Sequence, residues 1–457
     1  MTRPPAKSEA RSTITVVPGK GLLWLAALGG IPLLTIVGVA PPLAMPALVT
    51  LLGLAAWAIV DAMQSRSTAG AIRVTLPPRI NLFMNRPDAM EVLIANPDQR
   101  ARSVRVGLNN PREIPCEYED VAVEIPAGTE ASVLKWNCHP RTRGRFEIPS
   151  VHFELESRAR FWNIRVNRQT RTEVRVYPDL LPERKSLAAV FLRHRTAGAR
   201  AQRLVGKGRD FEKLREYLPG DPMEDVHWKA TAKRGRLVTK IFQIERTQQV
   251  YVAIDCSRLT NRPSSAMTPN ITTLDRFVTT ALLLGLATEQ QGDHFGLITF
   301  SNQVHQLIRA RNGKSHFGLC RDALFTLEPR LVTPDYDELF SAIRTRLRKR
   351  ALIVILTALD DPLLAESFNR SVELAARQHL LLVNMIEPGR VGPMFKTPAA
   401  SEAAVYDSLA GHLLWQKLRE IERRLSARGV RFSVLQNEAL ASEMVTQYLA
   451  VKQRQML

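Results

Sequence analysis

The sequence predicts an α/β carboxy-terminal domain preceded by a two-helix membrane hairpin and a small all-β domain. Three observations lead to this fold class. Two charge-free apolar blocks lie at 21–40 and 43–60. Short alternating runs separated by turn residues follow from about 71 to 177, and from residue 250 apolar strands alternate with long helices. With 457 residues and 45% apolar content, the chain is long enough for two or three domains with their own cores.

The two apolar blocks have the length of membrane spans. They contain twenty and eighteen residues, which at about 1.5 Å rise per helical residue span roughly 27–30 Å, the thickness of a bilayer's hydrocarbon core. Pro41 and Pro42 between them leave room only for a tight turn. The alternatives are a cleaved signal peptide or a buried helix pair, but the apolar region of a signal peptide is about 7–15 residues long and a second block argues for retention. We therefore predict a hairpin over 21–61 after an amino-terminal tail, 1–20.

The flanking charges predict the orientation of this hairpin. Basic residues lie on both sides of it and none lies in its turn: Arg3, Lys7, Arg11 and Lys20 before, Arg66 and Arg73 after. The positive-inside rule then places both ends, and the domains that follow, on the cytoplasmic side of the membrane. The four cysteines (Cys116, Cys138, Cys256 and Cys320) show no metal-ligand spacing and are expected as reduced thiols. Only an inverted topology would make a Cys116–Cys138 bridge relevant.

The formal net charge of +19 requires an acidic partner or a solvated basic face. Eight Lys or Arg and no acidic residue lie between Arg184 and Arg209, and a second cluster comprises Arg344, Arg346, Arg348, Lys349 and Arg350. Anionic lipid headgroups attract such clusters by about 1 kcal/mol per basic residue. Nucleic acid is the other acidic partner, but no nucleic-acid-binding signature is present and aromatic residues are not interleaved with the clusters. Membrane lipid is therefore the expected partner and nucleic acid is not.

The region 70–180 has the pattern of a β-sandwich. Its predicted strands recur at roughly ten-residue spacing between Asn-Pro, Pro-Ala-Gly and Arg-Gly turns: 91–95, 104–108, 121–125, 132–136, 144–148, 151–155 and 173–176. No cluster of His, Asp or Cys marks a site here. We expect this domain to act as a spacer and to contact other proteins.

A basic linker at 181–247 precedes the α/β domain at 248–457. In the linker, 209–218 is predicted as a short helix that ends at Pro219-Gly220. Predicted strands of the domain are 250–254, 294–300, 304–308, 352–356, 380–385 and 430–435. Predicted helices are 274–289, 316–327, 335–350, 363–377, about 406–428 and 438–452, and Leu414, Leu418, Ile421 and Leu425 give the fifth a buried stripe.

One run carries a family resemblance. The segment GKGRDFEKLREYLPGDPMEDVHWKATAKRGRLVTKIFQIER, at 206–246, leads into QVYVAIDCSRL. It resembles the bacterial family called domain of unknown function 58 through Gly208, Phe211, Leu214, Arg215, Tyr217, Pro219, Gly220, Asp221, Trp228, Ala232 and Glu245. It departs from that pattern at Glu224, His227 and Lys233, where Arg, Asp and Arg are usual. The closing YLAVKQRQML also looks like the end of that family, and the order of elements from about residue 248 looks like a von Willebrand factor type A domain.

The type A resemblance implies a metal site at the carboxyl end of the first strand. Such domains carry Asp-x-Ser-x-Ser there, joined by a Thr and an Asp from later loops, and this hard-oxygen set suits Mg²⁺. Here the motif supplies Asp255 and Ser257, with Thr333 as the hydroxyl and Asp360 or Asp361 as the second carboxylate. Leu259 replaces the second Ser and cannot bind a metal. The alternative, which we favour, is a vestigial strand end where Asp255 and Ser257 cap the following loop.

The family signature allows two interpretations. Arg215, Tyr217, Gly220, Asp221 and Trp228 either form a recognition surface, because buried Arg, Tyr and Trp concentrate binding energy, or hold the linker on the α/β domain. Asp225 and His227 would share a face of a strand, as an acid–base pair does. No nucleophile elbow, zinc helix or phosphate loop accompanies them, so an enzyme is not expected.

Together these features predict a membrane-anchored interaction or scaffold module. The family resemblance implies a MoxR-type AAA+ ATPase as its partner, in assembly or chaperone-like work. Two other classes stay open: a membrane-tethered nucleic-acid binder, which a steep salt dependence of DNA affinity would reveal, and a hydrolase of peptidoglycan or peptides. No cofactor is certain, and Mg²⁺ at the degenerate site is the one candidate.

Overall fold

Two apolar helices leave one β-domain and return to it. The protein is represented by a computed structural model that describes residues 12–39, 41–197, 210–243, 247–265, 268–389, 391–394 and 402–454. The chain divides into two units, 1–179 and 180–457. In the first unit, helix α1 (Lys20–Leu25) continues through a π-helical turn (Ala26–Gly30) into α2 (Ile31–Val39), and a 3₁₀ turn (Pro41–Leu43) leads into α3 (Ala44–Ala71).

Both apolar helices are long and apolar enough to cross a membrane. The first, Lys20–Val39, has twenty residues, and α3 has 28. At about 1.5 Å per residue α3 is about 42 Å long, which exceeds the roughly 30 Å of a hydrocarbon core. Its last two turns, which carry Arg66, therefore extend beyond that thickness.

Nine strands form two sheets that pack as a sandwich. One sheet has the order β1-β9-β8-β5-β6 with β3 also on β9, and the other has the order β2-β4-β7. Alternate side chains such as Val104, Val106 and Phe153 of the first sheet and Met90 and Val92 of the second are buried. The strands are β1 (Ser12–Pro18), β2 (Arg73–Thr75), β3 (Arg79–Phe83), β4 (Asp88–Ala95), β5 (Arg102–Leu108), β6 (Asp120–Ile125), β7 (Ala131–Cys138), β8 (Gly144–Glu156) and β9 (Trp162–Tyr177).

Two features of this sandwich differ from the predicted pattern. The strands expected at 144–148 and 151–155 are one strand, β8, with a register shift between Ile148 and Ser150. Residues 12–18, expected within an amino-terminal tail, form β1, which pairs antiparallel with β9 from Pro18↔Trp162 to Ser12↔Arg168. Because β1 precedes the helices and the other strands follow them, the apolar helices are an insertion within one domain.

The turn between β8 and β9 holds both ends of the hairpin. The Gly19 N–H donates to the Phe161 carbonyl at 2.7 Å, and a Cβ on Gly21 would lie 2.5 Å from the Arg160 carbonyl oxygen, so only glycine fits there. On the return side, Trp162 Nε1 donates to the Ala58 carbonyl at 2.8 Å. The Asp61 carboxylate accepts from the Ala159 N–H at 3.3 Å. The two helices therefore start and finish at the same place, as a hairpin must.

The second unit begins with a helix and a small two-stranded sheet. Helix α4 (Leu181–Ala197) places Leu187 in the apolar core of this unit, and Glu183 pairs with Arg276 at 2.9 Å. Strands β10 (Asp210–Glu216) and β11 (Val238–Gln243) pair antiparallel and enclose a 3₁₀ turn (Met223–Asp225) and helix α5 (Trp228–Arg234). The predicted helix at 209–218 is wrong, because 210–216 gains its backbone hydrogen bonds from β11.

The rest of this unit is a doubly wound α/β domain, which confirms the predicted fold class. Its six-stranded sheet has the order β14-β13-β12-β15-β16-β17, with β14 antiparallel and the others parallel. This is the 3-2-1-4-5-6 order of doubly wound folds. The elements are β12 (Gln249–Asp255), α6 (Thr273–Gln290), β13 (His294–Phe300), β14 (Val304–Arg311), α7 (Lys314–Leu324), α8 (Tyr336–Arg346), β15 (Leu352–Leu356), α9 (Pro362–Gln378), β16 (Leu380–Ile386), α10 (Glu402–Ala427), β17 (Arg431–Leu435) and α11 (Leu440–Gln453).

The central strands are buried on both faces. Val250, Val252 and Ile254 of β12 pack in the core that contains α6 and α11, while Tyr251 and Ala253 pack in the core of the opposite face with α8 to α10. The predicted stripe of α10 takes part in the second core, with Leu418 and Leu425 buried and Leu414 and Ile421 partly buried. This two-sided burial fixes the carboxyl ends of the strands at one edge of the sheet.

Candidate functional site

The candidate site lies where β12 and β15 end side by side. These two parallel strands adjoin at the point where the strand order reverses, which is where doubly wound sheets place ligands. Asp255 ends β12 and is completely buried. Thr357 follows β15 and is also completely buried. The register therefore brings a carboxylate and a hydroxyl together inside the protein.

Asp255 is held by three groups. Its Oδ1 accepts from the Ser257 N–H at 2.8 Å, and its Oδ2 accepts from the Thr357 hydroxyl at 2.7 Å. The Tyr336 hydroxyl lies 3.0 Å from Thr357 Oγ1 and extends this chain. Burial raises the pKa of Asp255, while the hydrogen bonds from Thr357 and Ser257 and the positive charge of Arg262 oppose that rise. Each oxygen of the carboxylate therefore accepts a hydrogen bond from within the protein.

The other predicted ligands have partners of their own. Ser257 Oγ accepts from the Leu259 N–H at 3.4 Å and begins a 3₁₀ turn, Arg258–Asn261. The Thr333 hydroxyl accepts from Arg258 Nε at 3.4 Å, and Asp361 accepts from the Leu363 N–H as the amino-terminal cap of α9. The structure therefore places these side chains on one edge of the sheet, each in a separate local contact.

Asp360 is paired with an arginine that the sequence did not single out. Arg262 Nη1 and Nη2 donate to the two Asp360 oxygens at 2.6 and 3.1 Å, and Arg262 Nε donates to the Leu259 carbonyl at 3.0 Å. Burial alone would raise the pKa of Asp360, but the hydrogen bonds from Arg262, the positive charge of that arginine and a backbone hydrogen bond together lower the pKa below its usual value. The same pair raises the pKa of Arg262. Both groups therefore stay charged.

These residues do not fit Mg²⁺. The ion needs near-octahedral oxygen coordination at about 2.0–2.1 Å. Both oxygens of Asp255 and of Asp360 already accept hydrogen bonds, Leu259 offers no hydroxyl, and a guanidinium lies against Asp360. Within the described ranges no group of three or more His, Cys, Asp or Glu side chains could hold a metal ion. The vestigial interpretation stays a prediction, and the geometry favours it.

The signature residues form a compact platform, defined here as residues 210–243. Arg215 Nη2 donates to Asp221 Oδ1 at 2.7 Å, and Asp221 Oδ2 accepts from the Leu218 N–H at 3.1 Å. Gly220 takes a φ of 110°, which other residues rarely adopt, in the turn that this carboxylate closes. The Tyr217 N–H donates to the Leu237 carbonyl at 3.0 Å. Arg215, Gly220 and Asp221 thus brace the platform itself.

Trp228 behaves differently from the bracing residues, because its side chain is 63% exposed. Three other large apolar side chains of the platform are also exposed: Leu218 (52%), Met223 (61%) and Leu237 (40%). The interpretation in which Trp228 helps to hold the linker on the α/β domain does not match this exposure. Gly208 and Glu245, two further signature residues, lie outside the described residues.

Neither candidate pair for acid–base or nucleophilic chemistry is arranged for it. His227 is the amino-terminal cap of α5, where its Nδ1 accepts from the Ala230 N–H at 3.0 Å, and Asp225 ends the preceding 3₁₀ turn. The proposal that they share a strand face is therefore wrong. Ser301 Oγ lies 2.6 Å from His305 Nε2, but Ser301 is completely buried and closes the turn after β13.

The fold defines a class of protein: a doubly wound α/β domain, preceded in the chain by a β-sandwich and a pair of apolar helices. A family model, described as protein of unknown function DUF58, matches residues 213–406. This confirms the resemblance that the signature predicted. No curated protein matched the chain.

Several solved structures are similar to the α/β domain in a limited way. The conserved hypothetical protein BatB from Bacteroides thetaiotaomicron shares 14% identity over 45% of this chain and 99% of its own, with a TM-score of 0.29. The SpRpn10 VWA domain shares 12% sequence identity over 44% of this chain and 95% of its own, with a TM-score of 0.28. An aerotolerance-related membrane protein from Bacteroides fragilis NCTC 9343 shares 14% sequence identity over 44% of this chain and 98% of its own, with a TM-score of 0.28. At scores this low the likenesses support no argument about function.

Proposed function

We propose that this membrane-associated protein is a non-catalytic docking module that works with a MoxR-type AAA+ ATPase in assembly or chaperone-like activity. The observation that carries the proposal is the exposed apolar surface of the platform. Trp228, Met223 and Leu218 are each more than half exposed, although their platform is braced by an ion pair and backbone hydrogen bonds. An ordered element that exposes large apolar side chains is typical of a protein-binding surface.

The proposal that the protein is not an enzyme rests on the burial of the side chains that could act in catalysis. Asp255 and Ser301, which have the chemistry of a catalytic acid and a nucleophile, are both completely buried. A substrate cannot reach either group without rearrangement of the sheet edge. The reachable groups at that edge, Thr333 and Arg262, are partnered by Arg258 and Asp360.

The partner and the orientation come from the sequence. Members of the DUF58 family resemble proteins that work beside MoxR-type ATPases, which makes such an ATPase the first candidate. We further propose that the protein resides in the bacterial inner membrane with both soluble units in the cytoplasm, because the flanking residues Lys20, Arg66 and Arg73 are basic. Anionic headgroups would then attract the exposed basic residues Arg344, Arg346 and Arg348.

Trp228→Ala tests the docking surface. Loss of a binding hot spot costs about 2 kcal/mol or more, which is roughly a thirtyfold loss of affinity. We expect Trp228→Ala to reduce co-purification of a MoxR-type ATPase with the full-length protein. Its thermal melt should stay unchanged because the indole is mostly exposed. Tyr406→Ala is the matched control, since Tyr406 on α10 is 65% exposed and lies outside the platform.

Arg215→Ala separates bracing from recognition. This variant breaks the pair with Asp221 and should lower both binding and the melting temperature. If a demonstrated complex survives Trp228→Ala undiminished, or if Tyr406→Ala weakens it equally, the platform is not the docking surface.

A further inference from the structure

At the carboxyl edge of the sheet, a positively charged side chain of the protein itself, Arg262, lies against the Asp360 carboxylate. We propose that the guanidinium of Arg262 takes the place of the divalent ion that the type A resemblance implies, so that the sheet edge is a permanently metal-free site. The proposal rests on contacts at the carboxyl edge of the sheet, and it goes beyond the proposed function, which places docking on the platform. Three steps lead to it.

The first step concerns what Arg262 holds. A metal in such a site would join the motif loop after the first strand to the carboxylate after the fourth. Arg262 makes the same connection, because its Nε binds the Leu259 carbonyl of the motif loop and its Nη1 and Nη2 bind both oxygens of Asp360. A planar guanidinium matches a carboxylate in this two-point geometry, which a point charge does not.

The second step concerns charge balance. Asp255 and Asp360 are two carboxylates at one edge, and Asp255 is completely buried. Buried charges are costly unless they are compensated. The positive charge of Arg262 pairs directly with Asp360. It is also the weakest of the influences that oppose the rise in the pKa of Asp255 caused by burial. For Asp360, the arginine therefore supplies the compensation that a bound cation would otherwise supply.

The third step concerns the missing ligand. Leu259 stands where a second serine hydroxyl would complete the motif, and its side chain is buried with 8% exposure. Leu259 removes a metal ligand, because it has no hydroxyl. Arg262, three residues later, pairs with the Asp360 carboxylate that would otherwise be available to a metal. Both residues therefore disfavour metal binding. Arg262 has five N–H donors, of which three are used. Its side chain is 48% exposed, so the remaining two are within reach of a partner's acidic group.

The test uses the purified full-length protein in detergent, with thermal melts and calorimetry in MgCl₂, MnCl₂ or EDTA. Wild type should melt at the same temperature in all three. Arg262→Ala should melt several degrees lower, and Arg262→Lys should fall between them, because lysine keeps the charge but loses the two-point contact. Arg348→Ala is the matched control, since Arg348 is an exposed arginine before β15 at the opposite edge, and it should melt as wild type.

A double variant asks whether the arginine occupies the position of the ion. Leu259→Ser with Arg262→Ala restores the hydroxyl and frees Asp360, so Mg²⁺ or Mn²⁺ should raise its melting temperature and EDTA should reverse the rise. Two results for the single proteins would overturn the proposal: micromolar Mg²⁺ affinity of the wild type that Asp255→Ala abolishes, or a melting temperature of Arg262→Ala equal to that of the wild type. A melting temperature of the double variant that neither metal raises would also overturn it. None of these readouts involves the ATPase, so a failure of the docking proposal is detected separately by Trp228→Ala.

Discussion

One oxygen of the buried Asp255 carboxylate, Oδ2, is held by a chain of two hydroxyl groups. The Thr357 hydroxyl has one proton and donates it to Asp255, so the Tyr336 hydroxyl, 3.0 Å away, must donate to Thr357 in turn. All three side chains are completely buried. Water therefore cannot replace any member of the chain without a rearrangement of the sheet edge.

Thr357→Val should destabilise the α/β unit by about 2 kcal/mol or more, because it keeps the side-chain shape and leaves the buried Oδ2 of Asp255 without its donor. A denaturation curve of the full-length protein in detergent measures the loss. Thr326→Val is the control, since Thr326 is exposed, and its effect should stay within about 0.5 kcal/mol. Equal stabilities for the two variants would show that Asp255 does not depend on this hydroxyl.

The sequence identified some residues of this edge and missed others for physical reasons. Asp255 and Ser257 are visible because polar residues interrupt an apolar run at a strand end. Thr357 follows the apolar run 352–356 in the same way, but its importance depends on β15 lying beside β12, which only the strand order reveals. Arg262 had no signal, because its partner Asp360 is 98 residues away and no spacing rule connects two loops.

Among the elements, β10 shows where local pattern fails. Segment 210–216 has apolar residues at a spacing that a helix also produces, so the sequence predicted a helix that Pro219 ends. The backbone instead pairs with β11, from Glu216↔Val238 to Asp210↔Gln243, across more than twenty residues. Tertiary pairing overrides weak local preference in such short segments. By contrast, the strands at 294–300 and 352–356 were predicted at their observed bounds, since a fully apolar buried strand leaves little ambiguity.

The last helix, α11, is secured by one buried carboxylate. Asp293, which is completely buried, accepts from Lys452 Nζ at 2.8 Å, from the Tyr448 hydroxyl and from the Gln248 N–H at 2.9 Å. It thereby joins α11 to the start of β12. Burial and the bond to Asp293 raise the pKa of Tyr448, so its hydroxyl stays protonated as the donor.

Asp293→Ala should therefore cost about 3 kcal/mol or more, because it leaves Lys452 without its buried partner and removes an acceptor from two further groups. The measurement is the denaturation midpoint of the full-length protein. Asp322→Ala removes an exposed carboxylate that pairs with Arg321 and should cost less than about 1 kcal/mol. A loss at position 293 no larger than that of this surface pair would contradict the securing role.

For the whole molecule, the position of β1 bears on topology. Strands before and after the apolar helices belong to one sheet, so both ends of the hairpin lie on the same side of the bilayer whichever side that is. We expect reporter fusions at Ala10 and at Ser67 both to report a cytoplasmic location, because the residues that flank the hairpin are basic. Opposite signals from the two fusions would be incompatible with the hairpin, and two periplasmic signals would reverse the orientation.

The orientation also decides the state of one cysteine pair. Cys116 and Cys138 lie opposite each other in an isolated antiparallel bridge, and both are free thiols. Burial raises the pKa of Cys138 to about 12, which keeps it in the unreactive thiol form. In the reducing cytoplasm the pair should stay open, so a disulfide in freshly extracted protein would argue for the periplasmic side.

The β1–β9 pairing also affects how the chain can be shortened and in what order it folds. A soluble fragment that starts near Thr68 would lack β1 and leave the first half of β9 as an unprotected edge, with free N–H and C=O groups from Trp162 to Arg168. Such edges recruit strands from other molecules, so this fragment should aggregate even though its own sequence is intact. During synthesis the same strand must wait for its partner, because about 150 residues, including both apolar helices, separate Ser12 from Arg168. The sandwich can therefore close only after both helices have been synthesised.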